Sequence, residues 1–579
     1  MKGELTGVLH RFLTDYGSWV AISLLVLFLG SLIFLERASS GKNRDPPHVR
    51  QGHRGPKIYP FLGCQLESLR NLHRLYDWST SYLRKDPTNT IRLKRALTSS
   101  WIVSTANPRN VEHILKTNFA NYPKGETMLG ALKPLLGEGI FNSDGDIWRS
   151  QRKIASHEFS TKTVRDFIIE LVHGETYNRL LPLLSKVHSE GSVIDIQDLL
   201  LRFGFDNICR LGFGVDMGCL DISLPEIEFA YAFDEATRLT FQRFFMPTFV
   251  YLFLDSLAFF GIGHSCRLRN TVKVVDRFAQ SIIEKRRKEL ESRKNHAESR
   301  VLKQEELASK FSRGNSDLLS RFIQYDEETQ GRAQGKDGTA AMSDKYLRDI
   351  ILNFILAGRD TAAVALTWFF WLLPKHPEVE KKMVDEITSI RWARKDSLQE
   401  NESGKVEGFT YDELREMHYV QAAITESMRL YPPVPGDAKG VFADDYLPDG
   451  TFVRKGDRVS FNIWAMGRME SVWGKDCLEF KPERFLQDGK FAQENSFKYP
   501  IFLAGPRICL GKEMAYTQMK YLVAAILSSP YRFQLLPKPS PKFELSITLK
   551  MKDGLLSTNK VLQRSGNSLH PYDCTSLVT

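Results

Sequence analysis

A cysteine near the C-terminus has neighbours that suit a metal ligand. Residues 502–511 read FLAGPRICLG, and the residues after them have the apolar spacing of a helix. Cys509 therefore precedes a helix N-terminus, where backbone N–H groups and the helix dipole favour a thiolate. Arg507 adds a fixed cation that suits a carboxylate on a bound cofactor.

The glycines and the aromatic residue of this segment fit the same interpretation. Gly505 and Gly511 lack side chains where the backbone would turn tightly around a bulky planar group, and Phe502 can shield the sulfur from water. The alternative is a buried cysteine before an ordinary helix. So many fixed positions in so short a segment arise by chance about once in several thousand chains of this length. The segment therefore favours the axial thiolate ligand of a haem iron.

A second group of polar residues lies inside an apolar helical segment. Residues 353–361 read NFILAGRDT, in which Gly358, Asp360 and Thr361 are poor choices for a purely structural buried helix. One interpretation is that Ala357 and Gly358 leave room for dioxygen, while Asp360 and Thr361 serve oxygen activation and proton delivery. The alternative is that Thr361 bonds its own i−4 carbonyl and Asp360 belongs to a surface ion pair.

These motifs resemble those of the cytochrome P450 superfamily, and two further motifs fit the same family. Glu426 and Arg429 have the E-x-x-R spacing, and Arg484 lies in a P-E-R-F segment. The resemblance implies that these three residues form a buried triad that supports the haem core. Trp148 and Arg152 match the W-x-x-x-R helix whose side chains reach a haem propionate in that family, with an amphipathic surface as the alternative.

The resemblance also implies the fold, the cofactor and the electron donor. We expect a mainly α structure with small β-sheets (α+β), organised as a single large haem domain over residues 58–560. Haem b would take Cys509 as its axial iron ligand. Because no G-x-G-x-x-G fingerprint opens a strand–helix unit, we expect electrons to come from a separate protein. The resemblance implies that this protein is the NADPH–cytochrome P450 reductase. Lys512 and Lys520 are candidate cations for docking this acidic partner.

Longer segments narrow the resemblance to one group of plant enzymes. Residues 113–125 and 465–485 look like the plant fatty-acid ω-hydroxylase clan, and residues 57–63 and 511–520 look closest to its branch of fatty-acid ω-hydroxylases and jasmonoyl-isoleucine oxidases. The resemblance implies a lipid-like substrate whose terminal carbon is hydroxylated, a regiochemistry that positioning must provide. The implied substrate contacts are Phe354, Ala357, Val434 and Pro435, with residues 128–141 and 545–549.

Three other functions stay open. The first is ω-oxidation of jasmonoyl-isoleucine, the second is a haem-thiolate isomerase or dehydratase acting on hydroperoxides, and the third is a non-catalytic haem protein. The isomerase relatives typically lose the acid–threonine pair, whereas this chain keeps it at Asp360 and Thr361.

The N-terminal residues predict a single membrane anchor. Residues 16–35 carry no charged side chain, and at about 1.5 Å rise per residue they span roughly 30 Å, the thickness of a bilayer core. Basic residues concentrate in the Pro-containing linker 36–57. The positive-inside rule then places the haem domain in the cytosol and residues 1–15 in the lumen of the endoplasmic reticulum. A cleaved signal peptide is the alternative. Residues 561–579 are expected to form a disordered tail.

The composition excludes several other classes. The 579 residues are 42% hydrophobic and 26% charged, as in folded globular chains. The net charge of +10 is mild, and the sequence has no dense basic arm alternating with aromatic residues, so it does not indicate nucleic-acid binding. Seven cysteines without C-x-x-C spacing exclude a zinc ribbon and a disulfide scaffold. The six other than Cys509 are predicted to fill space.

Secondary structure must bring these motifs together. Apolar spacing predicts a helix over residues 272–290 and another that carries residues 353–361. Alternating apolar residues predict strands within residues 90–105, and residues 451–463 predict a hairpin around Lys455–Asp457.

Overall fold

The fold is described from a computed structural model. The described residues are 55–96, 98, 100–158, 162–246, 254–255, 263–298, 317–323, 343–397, 408–537 and 541–561. The anchor predicted at residues 16–35, nearly all of the linker and almost all of the predicted tail lie outside these residues.

Helices form most of the described structure, as the apolar spacing of the sequence predicts. Side-chain caps fix several helix starts: Asp195 accepts from the Gln197 N–H, and Ser343 accepts from the Tyr346 N–H. The helices are α1 (Gln65–Arg70), α2 (Leu75–Lys85), α3 (Pro108–Glu112), α4 (Glu126–Leu136), α5 (Gly145–Glu158), α6 (Lys162–Glu175), α7 (Leu181–Glu190), α8 (Ile196–Phe213), α9 (Glu228–Gln242), α10 (His264–Glu298), α11 (Asp344–Ile355), α12 (Thr361–Leu372), α13 (Pro377–Ser397), α14 (Tyr411–Glu416), α15 (His418–Leu430), α16 (Ile463–Met466), α17 (Glu470–Trp473) and α18 (Lys512–Ser528).

The strands are short and form small sheets. One sheet has the order β1-β2-β7-β4 and another the order β10-β11-β3, while β5 pairs with β6 and β8 with β9. The strands are β1 (Thr90–Lys94), β2 (Trp101–Thr105), β3 (Ile194–Asp195), β4 (Asp437–Gly440), β5 (Asp445–Tyr446), β6 (Phe452–Val453), β7 (Arg458–Phe461), β8 (Leu486–Gln487), β9 (Lys490–Phe491), β10 (Tyr531–Leu535) and β11 (Leu556–Val561).

One of the two strand predictions is confirmed and the other is wrong. β1 and β2 form the antiparallel pair expected within residues 90–105, with Thr90 opposite Thr105. The hairpin expected at residues 451–463 does not form, because β6 pairs with β5 whereas β7 lies between β2 and β4. The turn itself exists. Its Asp457 carboxylate accepts from the Trp101 N–H at 2.8 Å, which ties β7 to β2.

A long central helix carries the acid–threonine pair through the core. α11, a π-helical turn at Leu356–Asp360 and α12 follow one another without a break. The continuous segment Asp344–Lys375 is long and apolar enough to span a membrane, but 78% of its most apolar window is buried. We therefore assign it to the core of the domain, where it packs against α8.

Candidate active site

The loop that carries Cys509 is tightly closed. The Cys509 N–H donates to the Phe502 carbonyl oxygen at 2.8 Å, and α18 begins directly after Gly511. Leu503 has a φ of 55°, a conformation that costs energy for a residue with a side chain. Such strain persists where the surroundings hold a segment in one conformation. The loop therefore presents Cys509 at the N-terminus of α18, as the sequence predicted.

The environment of the Cys509 thiol acts on its pKa in both directions. Its residue is exposed to solvent, yet the surrounding protein desolvates the sulfur and raises the pKa of the thiol. This pKa is lowered by a hydrogen bond from the Gly511 N–H and by the positive charges of Arg152 and Lys512. An accessible but desolvated thiol suits a ligand that approaches from within the protein.

Cations surround one side of this thiol. Arg507 donates to the Ser143 carbonyl oxygen at 2.9 Å and to the Asp144 carboxylate at 2.5 Å, and its guanidinium lies 4.3 Å from the Trp148 ring centre. Arg152 lies close enough to Cys509 for each group to affect the pKa of the other. Among the described residues, Arg152 has no carboxylate at ion-pair distance. The structure therefore brings together the two predicted arginines, Trp148 and Cys509.

A buried lysine adds to this cluster, and the sequence analysis missed it. Lys439 pairs with Asp437, which also meets Lys124 at 3.5 Å. Burial lowers the pKa of Lys439 to about 7 against the effect of Asp437, and the charges of Lys124 and Arg507 add to the lowering. The available signal was the i, i+2 spacing of Asp437 and Lys439, which places them on one face of β4.

The residues present fit a planar iron cofactor that carries carboxylates. An accessible thiol supplies the ligand that haem iron takes in thiolate proteins. Arg152, Arg507, Lys124 and Lys439 supply more positive charge than the nearby aspartates neutralise. Anionic groups of a cofactor would complete this balance.

The two loop glycines have different roles. A Cβ on Gly511 would lie 4.0 Å from the Cys509 sulfur, which is ordinary contact distance, so this position leaves space beside the sulfur. A Cβ on Gly505 would lie 2.1 Å from the Leu115 carbonyl oxygen, and Gly505 has a φ of 64°. The missing side chain of Gly505 therefore allows two backbone segments to meet, and its position beside the cofactor stays a prediction.

The acid–threonine pair lies where the π-helical turn ends at Asp360 and α12 begins at Thr361. Thr361 Oγ1–H donates to the Ala357 carbonyl oxygen at 2.7 Å, which is the local bond of the alternative interpretation. Asp360 is fully buried rather than part of a surface pair. Its carboxylate lies 3.0 Å from Arg359 and 3.0 Å from Lys550, and it accepts from the Thr548 hydroxyl at 3.4 Å.

Gly358 does not have the predicted role. A Cβ at this position would lie 2.6 Å from the Ile208 side chain on α8, and a Cβ on Gly204 would lie 2.7 Å from the Arg359 carbonyl oxygen. Both glycines therefore let α8 and the central helix approach closely. Ala357 is half-buried and remains the small residue beside Thr361.

A charged cluster connects buried Asp360 with an accessible carboxylate. Asp234 on α9 lies 2.5 Å from Arg359 and 2.7 Å from Lys550, and its side chain is 38% exposed. These two cations lower the pKa of Asp234 although its desolvation raises it. Three elements distant in sequence therefore meet at Asp360: α9, the π-helical turn and the segment around Lys550.

The E-x-x-R residues form a buried triad with the predicted arginine. Arg429 Nε lies 2.6 Å from the Glu426 carboxylate, and Arg484 Nε lies 3.2 Å from it. Glu426 and Arg429 are fully buried. Arg429 also donates to the Cys477 carbonyl oxygen at 2.6 Å, so the triad ties α15 to the segment that precedes the Cys509 loop.

The predicted substrate residues differ in how deeply they are buried. Phe354 and Pro435 are buried, whereas Ala357 and Val434 are half-buried. Leu549, from the last predicted contact segment, donates its N–H to the Pro433 carbonyl oxygen at 2.8 Å. Its own carbonyl oxygen accepts from Trp368 Nε1 at 2.8 Å. The segment 545–549 thus lies between α12 and the residues that follow α15.

One docking prediction is wrong. Lys520 is buried, and its ammonium donates to the Leu414 carbonyl oxygen at 2.5 Å and to the Gln421 side chain at 2.9 Å. A side chain held in this way does not meet a partner protein. Lys512 is half-buried close to Cys509.

Comparison with known proteins assigns the family. The family model for cytochrome P450 matches residues 54–558, most of the chain. The chain belongs to the cytochrome P450 family. The relative named cytochrome P450 86B1, from Arabidopsis thaliana, is 42% identical over 524 residues, which are 90% of this chain and 88% of the relative. Cytochrome P450 94A1 from Vicia sativa is 40% identical, over 86% of this chain and 89% of the relative. Cytochrome P450 94C1 from Arabidopsis thaliana is 44% identical, over 84% and 87% respectively.

Membership of the cytochrome P450 family establishes the enzyme class and the cofactor of this protein. The chain is a monooxygenase, an oxidoreductase that uses haem with a cysteine thiolate ligand to iron and takes electrons from a redox partner. The expected mainly helical haem domain with small sheets is confirmed.

Proposed function

We propose that this cytochrome P450 hydroxylates the terminal carbon of a fatty acid or of a fatty-acyl derivative. The observation that carries the proposal is the likeness over most of the chain to cytochromes P450 86B1 and 94A1, together with the sequence segments that resemble plant ω-hydroxylases. The terminal methyl is harder to oxidise than internal methylenes, so this function requires a site that fixes the acyl chain.

Haem binding is assigned to the residues around the Cys509 loop. Cys509 would supply the axial thiolate, and the cluster of Arg152, Arg507, Lys124 and Lys439 would neutralise the cofactor carboxylates. Trp148 and Phe502 would contact the cofactor and limit water, while Glu426, Arg429 and Arg484 hold the surrounding backbone. Bound haem supplies the activation of dioxygen and the insertion of one oxygen atom into a C–H bond.

Proton delivery is assigned to residues of the central helix. Asp360 Oδ2 lies 3.0 Å from the Lys550 ammonium, and Lys550 lies 2.7 Å from the accessible Asp234. A proton passed from Lys550 to Asp360 would reach the residue next to Thr361. The Thr361 hydroxyl donates to the Ala357 carbonyl oxygen in this structure, and its own oxygen can still accept a hydrogen bond from a proton donor.

Cofactor binding is tested through the spectrum of the reduced, carbon-monoxide-bound protein. Wild type is expected to give the thiolate band, and Cys509→Ala is expected to abolish it. Cys266→Ala, which changes a half-buried cysteine on α10, is the matched control and should keep the band. A wild-type spectrum without a thiolate band would contradict the assignment.

The substrate is tested by turnover in microsomes that contain the reductase and NADPH. A panel of medium- to very-long-chain fatty acids is compared with jasmonoyl-isoleucine, and products are identified by mass spectrometry. Terminal alcohols of fatty acids support the proposal. Exclusive turnover of jasmonoyl-isoleucine, or NADPH-independent turnover of a lipid hydroperoxide, would replace it with one of the alternatives.

The membrane anchor, its topology and the electron donor are also proposals. The uncharged residues 16–35 and the basic linker support a single-pass anchor in the endoplasmic reticulum with a cytosolic haem domain. Protease protection of tags at each terminus tests this topology.

The NADPH–cytochrome P450 reductase is the proposed partner, and Lys512→Glu should slow the reductase-dependent rate. Lys455→Glu, in an exposed turn, is the control.

A further inference from the structure

The Phe502 side chain lies next to α18, the helix that follows the Cys509 loop. The centre of its ring lies 5.3 Å from that of the Tyr516 ring and 5.9 Å from Lys512 Nζ. Its backbone carbonyl oxygen accepts from the Cys509 N–H at 2.8 Å. A shift of Phe502 would therefore change both the backbone around the Cys509 sulfur and the access of water to this sulfur.

A small cavity borders Phe502 on one side. It has a volume of about 40 Å³, and Phe502, Leu503, Tyr516 and Thr425 are among the residues that line it. A cavity of this size has room for water when polar groups line it. Because a side chain beside a cavity lacks packing partners on that side, its remaining contacts determine its position. The contact with Tyr516 is one of these, so the anchoring of Tyr516 affects the Cys509 loop.

Tyr516 is anchored by its hydroxyl group. The side chain is buried, and its hydroxyl oxygen lies 2.8 Å from Thr425 Oγ1 on α15. Thr425 uses its only hydroxyl hydrogen to donate to the Gln421 carbonyl oxygen at 2.7 Å. Tyr516 is therefore the donor in the bond between the two hydroxyls. Burial raises the pKa of Tyr516 to about 12, so the hydroxyl keeps this proton at neutral pH.

The partner of Tyr516 belongs to the helix segment that carries the E-x-x-R triad. Thr425 is buried and directly precedes Glu426, whose carboxylate pairs with both arginines of the triad. The carbonyl oxygen of Thr425 also accepts from the Tyr499 hydroxyl at 2.9 Å. Thr425 is thus held in place on α15, and the hydroxyl bond of Tyr516 connects this fixed point to α18 and to Phe502.

We propose that Tyr516 is a positioning residue that, through its hydroxyl bond to Thr425, sets the reduction potential of the bound haem. It does so by fixing Phe502 beside the Cys509 sulfur. The potential of a thiolate-ligated haem depends on the hydrogen bonds to the sulfur and on its burial. Water that reaches the thiolate withdraws charge from it and stabilises the more negative, reduced state. Displacement of Phe502 therefore makes the potential more positive.

This inference rests on the proposed assignment of Cys509 as the haem ligand, but not on the proposed substrate. It is tested by a potentiometric titration of the substrate-free, full-length haem protein with dithionite. One electron from dithionite is taken up at the haem iron for each molecule that is reduced. The ratio of reduced to oxidised protein at a fixed potential gives the equilibrium constant for reduction.

The variants remove single hydroxyl groups. Tyr516→Phe keeps the ring and removes the donor, whereas Thr425→Val removes the acceptor on the other side of the bond. Tyr521→Phe is the matched control, because Tyr521 is a fully buried tyrosine on the same helix. Its hydroxyl lies 2.8 Å from His173 Nδ1, on α6 rather than α15.

Tyr516→Phe and Thr425→Val should each raise the equilibrium constant for reduction at least about fivefold, or about 40 mV for a one-electron reduction. The double variant should show no larger shift than either single variant, since both substitutions remove the same bond. Tyr521→Phe should keep the wild-type potential. Urea unfolding should show a similar loss of stability in the two tyrosine variants, so a general loss of stability would not explain a shift in only one of them.

Three results would overturn the inference. The first is a wild-type potential in both Tyr516→Phe and Thr425→Val. The second is an equal shift in Tyr521→Phe, because any buried hydroxyl on α18 would then have the same effect. The third is additive shifts in the double variant, which would show that the two hydroxyls act separately.

The same protein samples separate this inference from the ligand assignment. If Tyr516→Phe does not bind haem, the potential of Thr425→Val decides. A wild-type protein without the thiolate band would contradict Cys509 as the ligand and the inference with it. A normal thiolate band with unchanged potentials in the variants would contradict only the role of Tyr516.

Discussion

Lys520 is a buried cation with hydrogen bonds but no carboxylate at ion-pair distance among the described residues. Burial lowers its pKa to about 8, and the charge of Glu386 opposes this shift only in part. In the unfolded chain the pKa returns to about 10.4. Between these pH values the unfolded state binds more protons than the folded state, so the free energy of unfolding rises as the pH increases.

We expect Lys520→Met to remove this pH dependence. Wild type should gain at most about 3 kcal/mol between pH ~8 and ~10.5 from this residue, whereas the variant should show a flatter profile. Urea unfolding at several pH values checks the prediction. Lys455→Met, at an exposed position, is the control. An identical slope in wild type and Lys520→Met would show that Lys520 does not titrate differently in the two states.

Single residues also mark the limit of sequence analysis. The spacing of the Cys509 segment and of the acid–threonine pair was sufficient to find the family, because both are local patterns. The sequence suggested that Gly505 allows a tight turn and that Gly358 leaves room for dioxygen, but it did not show that each glycine lets a distant segment approach closely. Which atom faces a missing Cβ depends on segments distant in sequence, here Leu115 and Ile208.

At the scale of elements, two glycines determine how closely α8 approaches the central helix. At Gly204 the obstacle to a Cβ is the Arg359 carbonyl oxygen, which belongs to the backbone. At Gly358 the obstacle is the Ile208 side chain, which can move. Overpacking of a core costs typically about 1–3 kcal/mol, and rigid obstacles give the larger values.

We therefore expect Gly204→Ala to destabilise the protein more than Gly358→Ala. Ile208→Val should partly rescue Gly358→Ala, since the pair shares one space, and should not rescue Gly204→Ala. Denaturant unfolding of the single and double variants measures this coupling. Gly174→Ala is the control, because a Cβ there has only Asn178 at 3.9 Å among its neighbours. Equal, additive effects of all three helical substitutions would contradict the packing assignment.

Elements were predictable where their pattern is local. The helices over residues 272–290 and around residues 353–361 and the β1–β2 pair follow from apolar spacing alone. The wrong hairpin at residues 451–463 had a correct turn, but β7 pairs in parallel with β2, a partner that no local pattern identifies. The burial of Lys520 and Lys439 likewise depends on tertiary packing. The charge of Lys520 therefore led to the wrong prediction that it lies at a docking surface, and Lys439 was not predicted at all.

At the scale of the molecule, one charged cluster joins segments from three parts of the chain. Asp234 from α9, Arg359 and Asp360 from the central helix and Lys550 near the C-terminus place two cations between two carboxylates. Each partner is buried or half-buried, so loss of one charge leaves its neighbours uncompensated. The cluster therefore links helix α9 to Asp360, the residue that precedes Thr361.

Lys550→Met should reduce the coupling of NADPH oxidation to product formation. Asp360 would keep Arg359 as its cation but lose its connection to the accessible Asp234, so proton delivery should slow. Because Lys550 acts through Asp360, we expect a loss of about three- to tenfold, smaller than the about hundredfold effect typical of a direct proton donor. Product and hydrogen peroxide formed per NADPH oxidised measure the coupling.

The matched control and the conservative variant separate proton delivery from structural support. Lys552→Met, an exposed lysine on the same segment, should behave as wild type. Lys550→Arg keeps the charge and the packing but holds its protons far more tightly, since arginine stays protonated at all ordinary pH values. If Lys550 only supports α9, Lys550→Arg should restore both stability and coupling. If it passes protons, Lys550→Arg should restore stability while coupling stays low and the solvent isotope effect on product formation increases.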